Sequence, residues 1–286
     1  TNGKYSNTYV LNEKIELFQS QTLAEYVISQ YNGVQGNNNI YHHDGTLENG
    51  ISDGSYRYAG SSDTTNNYVC FGSDETTCPD DSLYRIIGVF DGNVKLIKAS
   101  MARSNLLGTN GTYYSDTDYK WSSLTTCPSE TAYIQNNNLL MLANTPDAGG
   151  CSMWKHSELN TINLNTNFIN SIGTTWSNMI IATTWKVSGY SVANATAKTI
   201  YNEEITNATK TYGSNDGISK IGLMYVSDYG FAASPEAWTL TMKSYDNATA
   251  TENNWMYSGF TEWCISPKNN YAVVQLNALG DIINSG

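Results

Sequence analysis

Alternating polar and apolar positions at the start of the chain predict a β-strand. Within residues 4–18, the apolar side chains of Tyr9, Leu11, Ile15 and Leu17 share one parity, and polar side chains fill most of the other. Such a strand can bury its apolar row while its backbone pairs with the edge of a sheet. We expect that pairing within the same chain or with a neighbouring copy of it.

A short helix is predicted directly after this strand. Thr22 and Glu25 have the spacing of a capping box, in which the two residues satisfy each other's backbone N–H groups at a helix start. Gly33 is the predicted end of the helix. The apolar positions expected on its buried side are Leu23, Val27 and Tyr31. The strand and the helix together make a predicted N-terminal unit, residues 1–37.

The strongest local signal is a β-hairpin over residues 83–99. Two apolar runs flank Asp91 and Gly92, a dipeptide that accepts the positive φ angles of a two-residue hairpin turn. The earlier stretch, residues 32–67, is rich in turn-forming residues and is predicted to be a layer of loops.

Two further patterns complete the predicted fold. Residues 157–181 space their apolar side chains three or four positions apart, with Ser157 as a cap and Gly173 as a break, which predicts two consecutive short helices. Residues 220–286 alternate aliphatic runs with Gly, Pro and Asn turns, and this predicts an irregular antiparallel β region. We therefore expect residues 38–286 to form a single β-rich domain of the α+β class.

Composition and charge narrow the range of partners. Only 14% of the 286 residues are charged, and the 21 tyrosines stand among many Asn, Thr, Ser and Gly residues, which favours short strands and tight turns. The formal net charge of -11 would repel phosphate backbones and anionic lipids, so nucleic acid is an unsuitable partner. No apolar run reaches the roughly 20 residues of a membrane span, so membrane insertion of this segment is not expected.

The cysteines indicate an oxidising, extracellular compartment. Cys70 and Cys78 enclose a short loop, and Cys127 and Cys151 bracket a second excursion rich in Asn, Gly and Pro. Both spacings suit disulfides, and Cys264 is left over. A zinc site is disfavoured because the chain has no Cys-x-x-Cys pair.

Residue types capable of catalysis or metal binding occur in patterns that favour other roles. His42-His43-Asp44 brings possible ligands together, but adjacent side chains diverge, so we expect a solvent-exposed loop. The acidic residues within 74–81 lack the alternating oxygen ligands of a calcium loop and predict a solvated surface. No histidine has a recognisable nucleophile beside it, and there is no Gly-x-Ser-x-Gly elbow. We therefore expect no enzymatic activity, no metal and no cofactor.

An ordered series of landmarks runs along the chain at 84–89 with 94–97, 157–160 with 167–170, 221–227, and 262–267. This series resembles an uncharacterised domain family of secreted and surface proteins from Gram-positive gut bacteria. The resemblance covers residues 38–286. In its C-terminal part, the family is similar in layout to the C-type-lectin-like fold of formylglycine-generating enzymes. Cys264 stands where the family usually has Thr or Leu, and it lacks the second reactive cysteine that the enzyme chemistry requires. The family's closing strand is expected after Gly286.

Late aromatic and asparagine side chains form the predicted ligand site, for which we name Trp255, Tyr257, Trp263, Asn269, Asn270 and Tyr271. Aromatic rings offer a large contact area at a small entropic cost, so they suit the surface of a sugar or a protein. The alternative is that these aromatic side chains are buried and pack in the interior of an irregular fold.

Two functions follow from these features. The first is a non-catalytic binding or adhesion module on the extracellular cell surface, with a protein or glycan ligand on another cell or surface. The second is a structural subunit of a surface filament or pilus, whose partners are copies of itself. In that case a strand such as residues 4–18 would complete the sheet of a neighbouring subunit.

Overall fold

Helices and antiparallel sheets are mixed along the chain, so the predicted α+β class is confirmed. The computed structural model describes residues 21–111, 114–115, 118–119, 154–187, 195–206, 217–245, 248–260, 262–267, 273–276 and 282–285. More of these residues lie in helical turns than in strands, which corrects the expectation of a β-rich chain. The predicted strand at residues 4–18 lies outside the described residues, as do Cys127, Cys151, Asn269, Asn270 and Tyr271.

An antiparallel sheet of five strands forms the centre of the described part of the chain. Its strands are β1 (Ile40–Asp44), β2 (Ser52–Tyr58), β3 (Tyr68–Cys70), β4 (Leu83–Phe90) and β5 (Asn93–Lys98). β4 and β5 form the hairpin that the sequence predicts, with φ angles of 48° at Asp91 and 76° at Gly92. β2 and β3 pair with different ends of β4, and β1 pairs with β2.

The prediction of a loop layer over residues 32–67 is wrong, because β1 and β2 lie there. The error has a physical cause in β2. Its alternate residues Asp53, Ser55 and Arg57 are hydrogen-bonded to one another, and Arg57 and Ser55 are buried. A strand with a polar buried side has no hydrophobic period of two, so the pattern of apolar residues could not reveal it.

The first helix, α1 (Leu23–Tyr31), begins with the predicted capping box. The Glu25 N–H donates to the Thr22 hydroxyl at 3.2 Å, and the Thr22 N–H donates to the Glu25 carboxylate at 2.8 Å. The helix ends at Asn32, with φ at 51°, and Gly33 follows with φ at 73°. Both ends therefore lie where the local sequence placed them.

The buried face of α1 agrees with the prediction for Val27 and Tyr31 and differs from it for Leu23. Val27 is fully buried and Ala24 is nearly so, and both belong to the core that the central sheet builds. Leu23, predicted on the buried side, is 38% exposed. The helix of the predicted unit 1–37 thus contributes directly to the core formed by later residues.

Residues 157–181 contain helical segments, as predicted, but the longest of them is a π-helix. The segments from Trp154 onward are Trp154–His156, Leu159–Phe168, Ile169–Ser171 and Gly173–Ser177, of which Leu159–Phe168 is the π-helix. The predicted cap is present, because the Ser157 hydroxyl accepts the Asn160 N–H at 3.1 Å. Gly173, with φ at 76°, marks the predicted break. The Asn165 side-chain amide also donates to the Asn160 carbonyl at 3.0 Å, which is the five-residue spacing of the hydrogen bonds in a π-helix.

The prediction of β strands between residues 220 and 260 is wrong, since the regular elements among the described residues of this stretch are helices. Its helices are Val226–Ala232, Pro235–Thr239, Met242–Ser244 and Ala248–Thr251. The fully buried Glu204 accepts the N–H groups of Val226 and Ser227, each at 3.1 Å. A carboxylate thus satisfies backbone groups that are left unpaired at a helix start, and this distant partner is invisible in the local sequence.

The remaining elements are short. Antiparallel strands do occur after residue 261, where the three strands in 262–267, 273–276 and 282–285 pair in chain order. The remaining strands are β6 (Tyr114–Ser115), β7 (Asp118–Tyr119), β8 (Thr183–Trp185), β9 (Gly217–Ser219), β10 (Glu262–Pro267), β11 (Val273–Leu276) and β12 (Ile282–Ser285). The remaining helical turns are Asn37–Asn39, Asp80–Ser82, Ser104–Leu107, Ala197–Tyr201 and Asn202–Thr206.

Buried apolar side chains form two clusters. The first joins the central sheet to α1 and to the helical stretch after residue 223, and it contains Val27, Val89 and Trp238. The second surrounds the fully buried Trp154 and includes Phe168. Among the described residues, no helix combines the length and the apolar character needed to cross a membrane.

Candidate functional site

A small cavity lies where β3, β4 and β5 meet the segment 255–262, and we call it the Arg85 pocket. Its volume is about 150 Å³. The lining side chains that define it are Tyr68, Arg85, Trp255, Tyr257, Phe260 and Glu262. Pockets for drug-sized ligands span roughly 300–1,000 Å³, so this cavity suits one small group of a larger ligand.

Strand register builds the floor of the Arg85 pocket. Tyr68 on β3 stands directly opposite Arg85 on β4, which stands opposite Ile97 on β5. Residues opposite one another in an antiparallel sheet project to the same side. The three side chains therefore form one row across the sheet, and all three line the cavity.

Arg85 is fixed on every side. Its guanidinium donates to the Asn67 side chain at 2.7 Å, the Ser62 hydroxyl at 2.8 Å, and the carbonyls of Trp255 and Thr65 at 2.8 and 2.9 Å. The charge lies 4.5 Å from the ring centre of Tyr68 and 4.8 Å from that of Trp255. Burial lowers the pKa of this guanidinium. In the part of the chain that the structure describes, no carboxylate forms an ion pair with it.

The predicted aromatic residues take different positions. Trp255 is only 2% exposed, and its indole N–H donates to the Tyr58 carbonyl at 2.7 Å, so it serves as an inner wall. Tyr257 is half-buried and lines the cavity. Trp263 is half-buried and packs against the second core cluster, away from the pocket. The structure therefore brings two of these three aromatic residues to one site.

Sequence reasoning missed the exposed aromatic residues beside the cavity. Tyr68 is 49% exposed and Phe260 is 42% exposed, and both line the pocket. Phe260 lies close in sequence to the predicted Trp255 and Tyr257, so proximity could have suggested it. Nothing local connects Tyr68 or Arg85 with residues some 170 positions later.

Glu262, the first residue of β10, is the one acidic residue among the described residues that line the pocket. Burial raises the pKa of its carboxyl to about 7, although a hydrogen bond from the Ser258 hydroxyl acts in the opposite direction. That bond is long, at 3.3 Å, and it is the one hydrogen bond that this carboxylate accepts from the described residues. A carboxylate has about four acceptor sites, so much of its bonding capacity remains open toward the cavity.

A second cavity, of about 180 Å³, lies over a different part of the sheet and contains what we call the Arg57 cluster. The cluster comprises Arg57, Asp53, Asp228 and Lys95. The guanidinium of Arg57 contacts Asp53 at 2.8 Å and Asp228 at 3.2 Å, and Lys95 contacts the other oxygen of Asp228. Two positive and two negative charges therefore neutralise one another within the cluster. The Phe90 ring lies 4.5 Å from the Arg57 charge.

The expected solvent-exposed loop at residues 42–44 is wrong, because these residues lie on β1. His43 is fully buried, and its Nδ1 accepts the Ile51 N–H at 3.3 Å. Burial, assisted by the charge of Arg57, lowers the pKa of His43 to about 3. His42 stacks instead on Tyr56, with ring centroids 4.1 Å apart. The two imidazoles therefore diverge, as strand geometry requires.

The predicted disulfide between Cys70 and Cys78 is confirmed, with a Cα–Cα distance of 5.7 Å. It ties the end of β3 to the loop before β4. Cys264 is fully buried in the first core cluster. The acidic side chains of the loop that the bridge closes, Asp74 and Glu75, are exposed.

Comparisons of the chain with protein-family models, with curated proteins and with solved structures found no match. The resemblance to the family of surface domains, and the C-type-lectin-like layout, therefore stay predictions from the sequence landmarks. The geometry of the described residues is the evidence on which a functional proposal can rest.

Proposed function

We propose that the chain is a non-catalytic binding module of an extracellular surface protein, and that it holds one sugar ring of a glycan in the Arg85 pocket. One observation carries this proposal. Two exposed rings, Tyr68 and Phe260, flank a small cavity whose floor is fixed by a buried arginine. Apolar faces of sugar rings stack on such aromatic side chains, while polar groups beside them bind hydroxyls.

Rigidity favours binding at this pocket. Arg85 makes four hydrogen bonds, three to the loop before β3 and one to Trp255, and the Trp255 ring is itself held by the hydrogen bond of its indole N–H. A site that is ordered before the ligand arrives loses little conformational entropy on binding. The polar partners for hydroxyl groups are Glu262, Ser62, Ser100 and Ser258, all of which line the cavity.

Binding without cleavage is supported by the number of carboxylates in the pocket. Glycosidases generally use two carboxyl groups, one on each side of the scissile bond. Glu262 is the single acidic side chain among the described residues that line the cavity.

The extracellular location is supported by the Cys70–Cys78 bridge, since structural disulfides persist mainly in oxidising compartments.

A glycan microarray tests the proposal. The wild-type chain should bind a discrete set of printed saccharides, and Phe260→Ala should weaken that binding at least tenfold, or about 1.4 kcal/mol. Tyr26→Ala is the matched control, because Tyr26 is a 50% exposed aromatic residue on α1 outside the pocket. Binding to none of the saccharides, or equal binding by the wild type and Phe260→Ala, would reject the proposal.

A filament subunit is the second candidate, and one observation favours it. Within the described residues, β12 pairs on one side only, with β11, so its other edge can accept a strand from another copy. Light scattering after size-exclusion chromatography tests this function. Mass that grows with concentration in steps of one chain supports it, and a constant monomer mass up to high concentration rejects it.

A further inference from the structure

We propose that the group recognised in the Arg85 pocket is a primary ammonium, held between the carboxylate of Glu262 and the aromatic rings beside it. The ligand would then be an amino sugar. This inference rests on the proposed glycan-binding function and deepens it. The shared chemistry, an ammonium on a short carbon frame, also occurs in the side chain of lysine, so the test below includes both sources.

The open bonding capacity of Glu262 is the first argument. Its carboxylate accepts one hydrogen bond, at 3.3 Å, from the described residues, and no described cation forms an ion pair with it. A carboxylate withdrawn from water without a positive partner is unstable in its charged form. An ammonium donates three hydrogen bonds and supplies the missing charge.

Cations already present do not fill this role. The Arg85 guanidinium directs its hydrogen bonds to Asn67, Ser62 and two backbone carbonyls. Lys98 contributes to the cavity lining, but its ammonium donates to the Asp81 carbonyl at 2.8 Å and lies 5.0 Å from the Tyr84 ring centre. Both positive groups are therefore engaged elsewhere.

Aromatic rings beside the carboxylate are the second argument. Tyr68, Tyr257 and Phe260 line the same cavity, and the faces of aromatic rings attract cations. A carboxylate with several rings is the combination by which proteins recognise ammonium groups. The net charge of -11 adds a long-range attraction for cations over the whole surface.

The inference gives a definite pH dependence. Besides Arg85 and Lys98, the titratable groups near Glu262 are tyrosine hydroxyls and the Cys264 thiol, and those of Tyr229 and Cys264 are buried. These groups do not normally change charge between pH 5.5 and 8, so Glu262 governs this range. An ammonium requires the ionised carboxylate, so the affinity for a ligand whose amine stays protonated should rise as pH increases toward and through about 7.

Isothermal titration calorimetry with three probes tests the proposal. Glucosamine and glucose share a frame and differ in the amino group, and Nα-acetyl-lysine amide carries an ammonium without a sugar. At pH 7, wild type should bind glucosamine at least tenfold more tightly than glucose. Glu262→Gln should remove that preference, so that the variant binds glucosamine and glucose with similar affinity. The lysine ammonium stays protonated below a pH of about 10, so any pH dependence of that probe reports on Glu262.

Each outcome decides a separate question. Equal affinities for glucosamine and glucose overturn the ammonium inference and leave the glycan function intact, as does a preference that survives in Glu262→Gln. Binding of the lysine probe without either sugar overturns the glycan function and supports the ammonium inference. No binding of any probe overturns both. If Glu262→Gln does not fold, the pH dependence of glucosamine binding by the wild type decides alone between pH 5.5 and 7, where the sugar ammonium stays protonated, and affinity that falls as pH rises over that range overturns the inference.

Discussion

Two buried arginines of the central sheet are stabilised in opposite ways. Arg57 on β2 and Arg85 on β4 are 2% and 6% exposed, and each lies against aromatic rings. Arg57 forms ion pairs with Asp53 and Asp228. Arg85 is held by carbonyl, amide and hydroxyl oxygens instead. Burial alone therefore does not reveal what an arginine does, and the charge of its partners must be known.

The difference extends to the two cavities. In the Arg57 cluster every carboxylate has a cation of the same chain beside it, which indicates a structural role. In the Arg85 pocket the arginine needs no carboxylate, and Glu262 accepts a single long hydrogen bond from the residues that the structure describes. The second arrangement leaves charge and hydrogen-bonding capacity for a ligand. The predictions below test this contrast.

The largest effect is expected for Asp228→Asn. This change removes the charge that Arg57 and Lys95 share, and breaking a buried ion pair from one side costs about 3–5 kcal/mol. Urea denaturation measures the loss. Asp91→Asn is the control, because Asp91 lies in the exposed hairpin turn beside the same cavity, and it should change the unfolding free energy by less than about 0.5 kcal/mol. Similar losses in both variants would contradict the structural role of the cluster.

Arg85→Met should cost about 2–4 kcal/mol, because the carbonyls of Thr65 and Trp255 lose a buried donor. None of the partners of Arg85 titrates near neutral pH, so the loss should be the same at pH 5.5 and pH 8. Denaturation at both pH values checks this. A loss that varies with pH by more than about 1 kcal/mol would show that Arg85 is coupled to a carboxylate after all.

His43, near Arg57, should make the protein sensitive to acid. Its pKa falls from the ordinary 6.5 to about 3, so the unfolded chain binds a proton that the folded chain rejects, and stability declines as pH falls below 6.5. Between pH 6.5 and 4.5, the free energy of unfolding should fall by about 2 kcal/mol less in His43→Asn than in the wild type. The comparison is made by urea denaturation across this range. An unchanged acid slope in the variant would mean that His43 is accessible to protons when folded.

Glu262 should have the opposite pH effect. Because its folded pKa is raised from 4.5 to about 7, ionising it in the apo protein costs stability as pH rises through this interval. Glu262→Gln should therefore gain up to about 3 kcal/mol at pH 8 and nothing at pH 4. Thermal melts at both pH values measure the gain. Destabilisation at pH 8 would show that the carboxylate has a stabilising partner within the protein.

Local chemistry in the sequence predicted local structure well. The hairpin turn at Asp91 and Gly92 and the cap formed by Thr22 and Glu25 depend on residues within four positions of one another. β2 was missed because its buried side is polar. The helix at Val226–Ala232 was missed because its cap, Glu204, lies 22 positions earlier.

The pocket was predicted only in part, for a similar reason. Trp255 and Tyr257 were expected at a ligand site from their aromatic character, but Arg85 is brought to them by a contact across 170 positions. Tyr68 joins the site only through the register of β3 and β4. Such partners are set by tertiary packing, which the order of residues along the chain does not display.

Two-dimensional proton–nitrogen NMR during a titration with glucosamine tests the central claim most directly, because it observes both arginine regions at once. The account predicts shifts of the Trp255 indole N–H and of the Phe260 and Glu262 backbone amides, with the Arg57 side-chain Nε–H unmoved. Shifts centred on the Arg57 Nε–H, with the Trp255 indole signal unchanged, would contradict it.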